Sequence, residues 1–142
     1  EPLDPALLPP LYLAYHTDFS EPTEVFHNDI RGRFNRGEAR VVQAMQRCAD
    51  LAARGREALL RRDYDELGRL MNENFDTRRS IYNLPPWQVE MVETARRCGA
   101  SAQFSGSGGA IVGIYQDAAM FKRLSERLGA LQCRTLKPQV LP

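Results

Sequence analysis

Five consecutive small residues, Ser105, Gly106, Ser107, Gly108 and Gly109, are the stretch of this sequence whose composition points most directly at chemistry. Glycine and serine leave backbone N–H groups uncovered, and a cluster of uncovered N–H groups holds an anion. The stretch is not a P-loop, because no lysine followed by serine or threonine comes after it and a β-branched run is next. Nor is it the dinucleotide fingerprint, since Ile111 stands where the third glycine belongs. Taken alone, such a run is more often a plain hairpin tip, because turns use glycine for φ > 0.

A second signal lies upstream. At 100° per residue Leu67, Leu70, Met71, Ile81 and Tyr82 share one helical face, and Asn74 and Arg78 project from the middle of it. An asparagine and an arginine on an inward face need hydrogen-bond partners, because leaving them unpaired costs on the order of 1–3 kcal/mol or more. Those partners are internal groups, a ligand or an adjoining domain. A guanidinium grips a carboxylate or a phosphate with two parallel hydrogen bonds. Arg69 and Asp76 fall on the opposite, solvated side and Arg79 on the flank.

The remaining reactive residue types assemble no catalytic set. His16 and His27 stand in no metal spacing, and Cys48, Cys98 and Cys133 are too far apart for the close pairs of a zinc site; an odd count also fits a disulfide framework poorly. They read as reduced, mostly buried thiols. No GxSxG, no catalytic cysteine context and no carboxylate pair is evident, so no catalytic residue and no metal site is assigned within the chain. The basic residues are 17 arginines with only Lys122 and Lys137. Acidic neighbours offset the arginine-rich stretch from Arg31 to Arg62, and Phe34 is the one aromatic within it, so it reads as a solvated helix face and not a nucleic-acid surface. Nothing approaches the roughly 18 apolar residues of a membrane span, and no secretory leader opens the chain. A cytoplasmic location without membrane or nucleic-acid partners is expected.

The elements that must carry these residues follow from periodicity. The run from Leu11 to Tyr15 is a strand. A loop with a short helical piece around residues 24–34 follows. From Glu38 a long amphipathic helix turns Val41, Ala44, Met45, Cys48, Ala52 and Leu59 inward. Asp63 caps a second helix, which ends at Asn83-Leu84-Pro85-Pro86, and Pro86 opens a third, with Val89, Val92 and Ala95 inward and Gly99 at its end. Residues 100–104 and 110–115 make a hairpin around the glycine-rich tip. Asp117 caps a fourth helix with Met120, Phe121, Leu124 and Leu128 inward, Gly129 stops it, and residues 131–136 form the last strand. With the helical insert after the first strand counted as one crossover, the order is β-α-β-β-α-β: an α+β ferredoxin-like sandwich with helices on one face of an antiparallel sheet. At 142 residues, 43% apolar, one domain spanning 1–142 is expected. The chain opens on Glu1 without methionine, and it is expected to be a fragment.

The run Gly99-Ala100-Ser101-Ala102-Gln103-Phe104-Ser105-Gly106-Ser107-Gly108-Gly109-Ala110-Ile111-Val112 resembles the third motif of the GHMP kinases, the superfamily of galactokinase, homoserine kinase and mevalonate kinase. Three further segments strengthen the likeness. Leu51-Ala52-Ala53-Arg54-Gly55-Arg56-Glu57-Ala58-Leu59-Leu60, Leu70-Met71-Asn72-Glu73-Asn74-Phe75-Asp76-Thr77-Arg78-Arg79 and Val89-Glu90-Met91-Val92-Glu93-Thr94-Ala95-Arg96-Arg97-Cys98-Gly99 look most like the C-terminal half of glucuronokinase-type sugar kinases.

The resemblance implies a GHMP kinase C-terminal domain that packs on an N-terminal domain to close the active cleft. That missing domain would hold ATP and Mg2+, together with the catalytic residues. Here Ser105 to Gly109 would support the phosphate loop, in a Gly-Ser-Gly-Gly form shorter than the four glycines of many relatives. Asn74 and Arg78 are the expected acceptor contacts, and a uronic acid such as glucuronate would supply a carboxylate for Arg78. The expected function is thus the C-terminal part of an ATP-dependent kinase acting on a sugar or sugar acid, inactive as this fragment alone. The competing expectation is a self-standing ferredoxin-like ligand-binding or regulatory module.

Overall fold

The computed structural model describes residues 2–19 and 23–140. Strand β1 (Leu11–His16) alternates strictly, with Tyr12 and Ala14 fully buried. Four helices follow: α1 (Thr23–Asn35), α2 (Ala39–Leu60), α3 (Tyr64–Arg79) and α4 (Pro86–Arg97). Then come β2 (Gln103–Phe104), β3 (Ala110–Ile114), α5 (Ala118–Gly129) and β4 (Cys133–Leu136). The strands form one antiparallel sheet in the order β2-β3-β1-β4. This is the expected α+β sandwich, with the multi-helix insert between the first two strands.

The main core lies between the sheet and two helices. Tyr12, Ala14, Phe104, Ile111 and Cys133 of the sheet meet Met91, Val92 and Ala95 of α4 and Met120, Leu124 and Leu128 of α5. Phe75 of α3 enters the same core and stands edge-on to Phe104, ring centroids 5.1 Å apart. The register places Leu11, Leu13, Tyr15, Val112 and Ile114 on the opposite face of the sheet, where all are half-buried; Leu136 beside Leu13 is exposed.

Caps fall where the residue types place them. Asp63 accepts from Glu66 N at 3.1 Å and Asp117 from Met120 N at 2.8 Å. Pro86 is the first residue of α4, and Gly99 (φ +92°) ends it.

Several boundaries depart from the sequence reading. The expected short piece near 24–34 is a full helix of 13 residues. In α2 the buried stripe is Val41, Ala44, Leu51 and Ala58, while Ala52 is exposed. Positions 44, 51 and 58 are seven apart, the repeat that keeps a seam facing a partner helix; a straight wheel drifts off it by about 20° per heptad. The partner is α3, whose Leu70 packs with Leu51 and Ala58.

The hairpin's first strand is two residues rather than five. Ala102 N is taken by Asn72 Oδ1 at 2.9 Å, and Ile114 N donates to the hydroxyl of Ser101 at 2.8 Å, so a side chain replaces a rung of the ladder. The last strand begins at Cys133, because Leu131 and Gln132 still complete the turn after α5. Gly129 is the last residue of α5 and does not adopt a left-handed conformation; Gln132 (φ 62°) does.

Candidate functional site

The site forms where α3 runs alongside the β2–β3 hairpin. The hairpin closes with Phe104 opposite Ile111 and Ser105 N donating to Ala110 O at 3.1 Å, leaving residues 106–109 as the tip. Gly108 (φ +151°) and Gly109 (φ +79°) occupy conformations that a side chain would resist. Gly109 O accepts from His16 N at 3.1 Å, tying the tip to the end of β1. Among the described residues the backbone N–H groups of Gly106, Gly108 and Gly109 have no acceptor. Three unpaired donors within four residues can be directed at an anion.

Asn74 and Arg78 line one cavity of about 590 Å3, together with Ile30, Arg31, Cys48 and Tyr82. Arg78 also reaches the tip. Its Nη2 donates to Gly106 O at 2.7 Å, and the guanidinium lies 5.5 Å from the centroid of the Phe104 ring. The structure thus brings the two regions singled out from the sequence into contact through one side chain. No described carboxylate is paired with Arg78 or lines the cavity. Arg79 points elsewhere, to Glu93 at 3.1 Å. Another cavity, of about 400 Å3, lies at the far end of α3 beside Tyr64, Gly68 and Ser101, away from the loop.

His16 is a turn residue: its Nδ1 accepts from the backbone N–H of Asp18 (3.1 Å) and Phe19 (3.0 Å). Its ring packs against Phe19 and Trp87 beside the loop. The side chain of His27 lies outside the described residues. All three cysteines are free. Burial pushes the Cys133 thiol up to about 11. Cys48 is also raised by burial, with the positive charge of Arg78 pulling the other way. The Tyr12 hydroxyl, donating to Ser101 O at 2.7 Å, is raised far above the phenol range by desolvation. In the arginine-rich stretch Arg47 pairs with Glu73 and Arg54 with Glu66, which links α2 to α3. Arg33 is held by both oxygens of Glu38 and by Ile81 O.

Three contributors escaped the sequence reading. Asn72 carries the approach to the loop by accepting from Ala102 N, and Arg96 locks Asn72 through its Nε–H (3.1 Å) while pairing with Asp76 (2.8 Å). Neither contact has a periodic signature. Gln88 did have one. It precedes Met91, Val92 and Ala95 by three, four and seven residues, so it is a polar residue on the inward stripe of α4.

A four-stranded antiparallel sheet of this order, with α4 and α5 on one face, defines a ferredoxin-like α+β domain whose glycine-rich hairpin abuts an inserted helix. A family model described as "GHMP kinases C terminal" matches residues 56–135, and the chain belongs to that family. It is 46% identical over 113 residues to "Probable glucuronokinase 2" of Arabidopsis thaliana, a match covering 78% of this chain and 31% of the plant protein. To "Glucuronokinase 1" of the same plant it is 40% identical over 144 residues, covering 96% and 38%. The chain spans about a third of the length of these relatives.

Among solved structures, L. major mevalonate kinase in complex with R-mevalonate superposes with a TM-score of 0.79 at 23% identity, over 93% of this chain and 44% of that one. Lactococcus lactis galactokinase complexed with galactose gives 0.71 at 12% identity, over 92% and 45%. At these identities the likeness is one of fold. Membership of this family does not favour the self-standing regulatory module. No described helix is long and apolar enough to cross a membrane.

Proposed function

We propose that residues 1–142 form one domain, the C-terminal part of an ATP-dependent kinase that phosphorylates a sugar acid of the glucuronate type. The observation that carries this reading is the position of Arg78, which lines the cavity and holds the Gly106 carbonyl at the same time. An acceptor in the cavity and a phosphoryl group at the loop are then neighbours. Phosphoryl transfer needs positioning and neutralisation of charge more than covalent catalysis. Within the stretch from Ser105 to Gly109, the backbone N–H groups of Gly106, Gly108 and Gly109 support the phosphate. Arg78, backed by Arg31, gives the cavity the positive charge a uronate carboxylate needs, and Asn74 offers its amide to a sugar hydroxyl. The names of the two plant relatives favour glucuronate among acidic sugars.

The loop donors fit part of a nucleotide's phosphate chain, whereas the described residues contain no P-loop for the rest of it. ATP is accordingly assigned to an N-terminal domain of the same protein. Among the described residues no three His, Cys, Asp or Glu side chains cluster; Mg2+, which is ordinarily held by one or two carboxylates together with the nucleotide's phosphates, is assigned with ATP to that other domain. The proposed location is the cytoplasm, where such a kinase finds ATP.

The test is a coupled assay of ADP release by the full-length protein, supplied with MgATP and glucuronate, glucose or mevalonate in turn. Release driven by the sugar acid is expected. The 142-residue chain alone should show the circular dichroism of a folded α+β domain and release no ADP. Preference for mevalonate or a neutral hexose would overturn the acceptor assignment. Sugar-dependent release by the isolated chain would overturn the division into two domains.

A further inference from the structure

Directly beneath the loop one side chain departs from the rule that buried polar groups are paired. Gln88, the third residue of α4, is 0% exposed, and neither its Oε1 nor its Nε2 has a hydrogen-bond partner. Its amide faces Gly108. A Cβ built on Gly108 would lie 2.7 Å from Nε2 and 2.8 Å from Oε1. An apolar side chain of the same size would fill this position without desolvating an amide, so the glutamine is costly unless a partner reaches it in another state of the protein.

The loop contains such a partner. It is held by Ser105 N to Ala110 O, by Arg78 to Gly106 O and by His16 N to Gly109 O, and Ser107 has a partner as well. Gly108, between Gly106 and Gly109, makes no hydrogen bond through either its N–H or its carbonyl among the described residues. Like Gly106 and Gly109 it lacks a Cβ, which leaves its backbone free to rotate. The N–H and C=O of a peptide point in opposite directions. When the N–H of Gly109 turns outward to a phosphoryl oxygen, the carbonyl of the same peptide, that of Gly108, turns inward onto Gln88.

Building on the phosphate-loop reading above, we infer that Gln88 is a positioning residue for this loop. Its Nε2 donates to the Gly108 carbonyl once an anion engages the N–H of Gly109. In the free protein the amide waits unpaired; in the loaded protein it holds the loop donors in place while the phosphoryl group moves.

The test uses Gln88→Met in the full-length protein, with Gln88→Leu as a second apolar replacement should methionine pack poorly. The melting temperature should equal or exceed that of the wild type, because an unpaired amide has been removed. The kcat should fall on the order of ten- to a hundredfold, while KM for ATP and for the sugar acid moves by about threefold at most. Amide hydrogen exchange at residues 106–109, slowed by ATP in the wild type, should not slow in the variants. Wild-type kcat in a folded variant overturns the inference. So does a lowered melting temperature in both variants, which would mean that Gln88 is already paired in the free protein.

Failure of the kinase reading is seen separately, as absence of phosphate transfer by the wild type. The exchange experiment with ATP alone then still decides the role of Gln88. Slowing in the wild type but not in Gln88→Met supports it, and equal behaviour of the two overturns it.

Discussion

Replacing Arg78 by methionine keeps much of the length and the apolar stem over Phe104 but removes the charge. Two interactions are lost, and they separate in an assay. The first is the 2.7 Å bond from Nη2 to Gly106 O, a tether of the loop that serves every acceptor. A hydrogen bond to a charged group contributes about 1.5–3 kcal/mol, and access of solvent to this one puts it near the lower figure, about a tenfold loss of kcat/KM for all acceptors. The second is the grip of the remaining guanidinium N–H groups on a uronate carboxylate. It is felt only by the acid and adds roughly another ten- to a hundredfold. Activity toward the sugar acid should therefore drop about a hundred- to a thousandfold, and toward the neutral parent sugar only about tenfold. The KM for ATP should stay nearly constant. The melting temperature should fall by a few degrees, since the lost cation–π contact and loop tether together bear on only one edge of the fold. Arg79→Met is the control: Arg79 is exposed and pairs with Glu93 at the surface, an interaction of about 1 kcal/mol at most. Steady-state kinetics of both variants against a uronic acid and its parent hexose decide the matter. An undiminished preference for the acid in Arg78→Met would remove this residue from the acceptor site, and equal losses for both sugars would leave it only the loop tether.

Two further outcomes test the frame around the site. Gly113→Ala should not fold stably, because its Cβ would lie 1.8 Å from Ser101 O and 2.6 Å from Ser101 C, backbone atoms that no rotamer can move; a soluble variant with the wild-type denaturation midpoint would refute this packing. Glu38→Gln should lower the melting temperature at neutral pH but not in strong acid. The Arg33 guanidinium holds the Glu38 carboxyl below its ordinary range, so its contribution is present above the unfolded carboxyl's titration and disappears as the pH falls through the lowered folded value. A difference between variant and wild type that persists unchanged in acid would refute the role of this pair at the α1–α2 junction.

The sequence by itself determined the elements and the class of sheet. The apolar, aromatic run of β1, the aspartate caps of α3 and α5, proline at the start of α4 and glycine at its end are local events, decided by residues within a turn of one another. It also exposed two anomalies, a glycine-rich tip and a polar pair on an apolar helical face, because both break a pattern that short-range rules set. What it left open is which groups meet. The seven-residue stripe of α2 exists only against α3, and β2 is two residues long where the side chains of Asn72 and Ser101, 30 and 13 residues from the amides they accept from, replace ladder bonds. The contact of Arg78 with Gly106 joins residues 28 apart, and the burial of Gln88 under Gly108 joins residues 20 apart. Hydrogen bonds and close contacts at that separation depend on how whole elements pack. Periodicity fixes the direction of a side chain around its own helix, while the partner it reaches is set by the neighbouring element that the tertiary structure brings alongside.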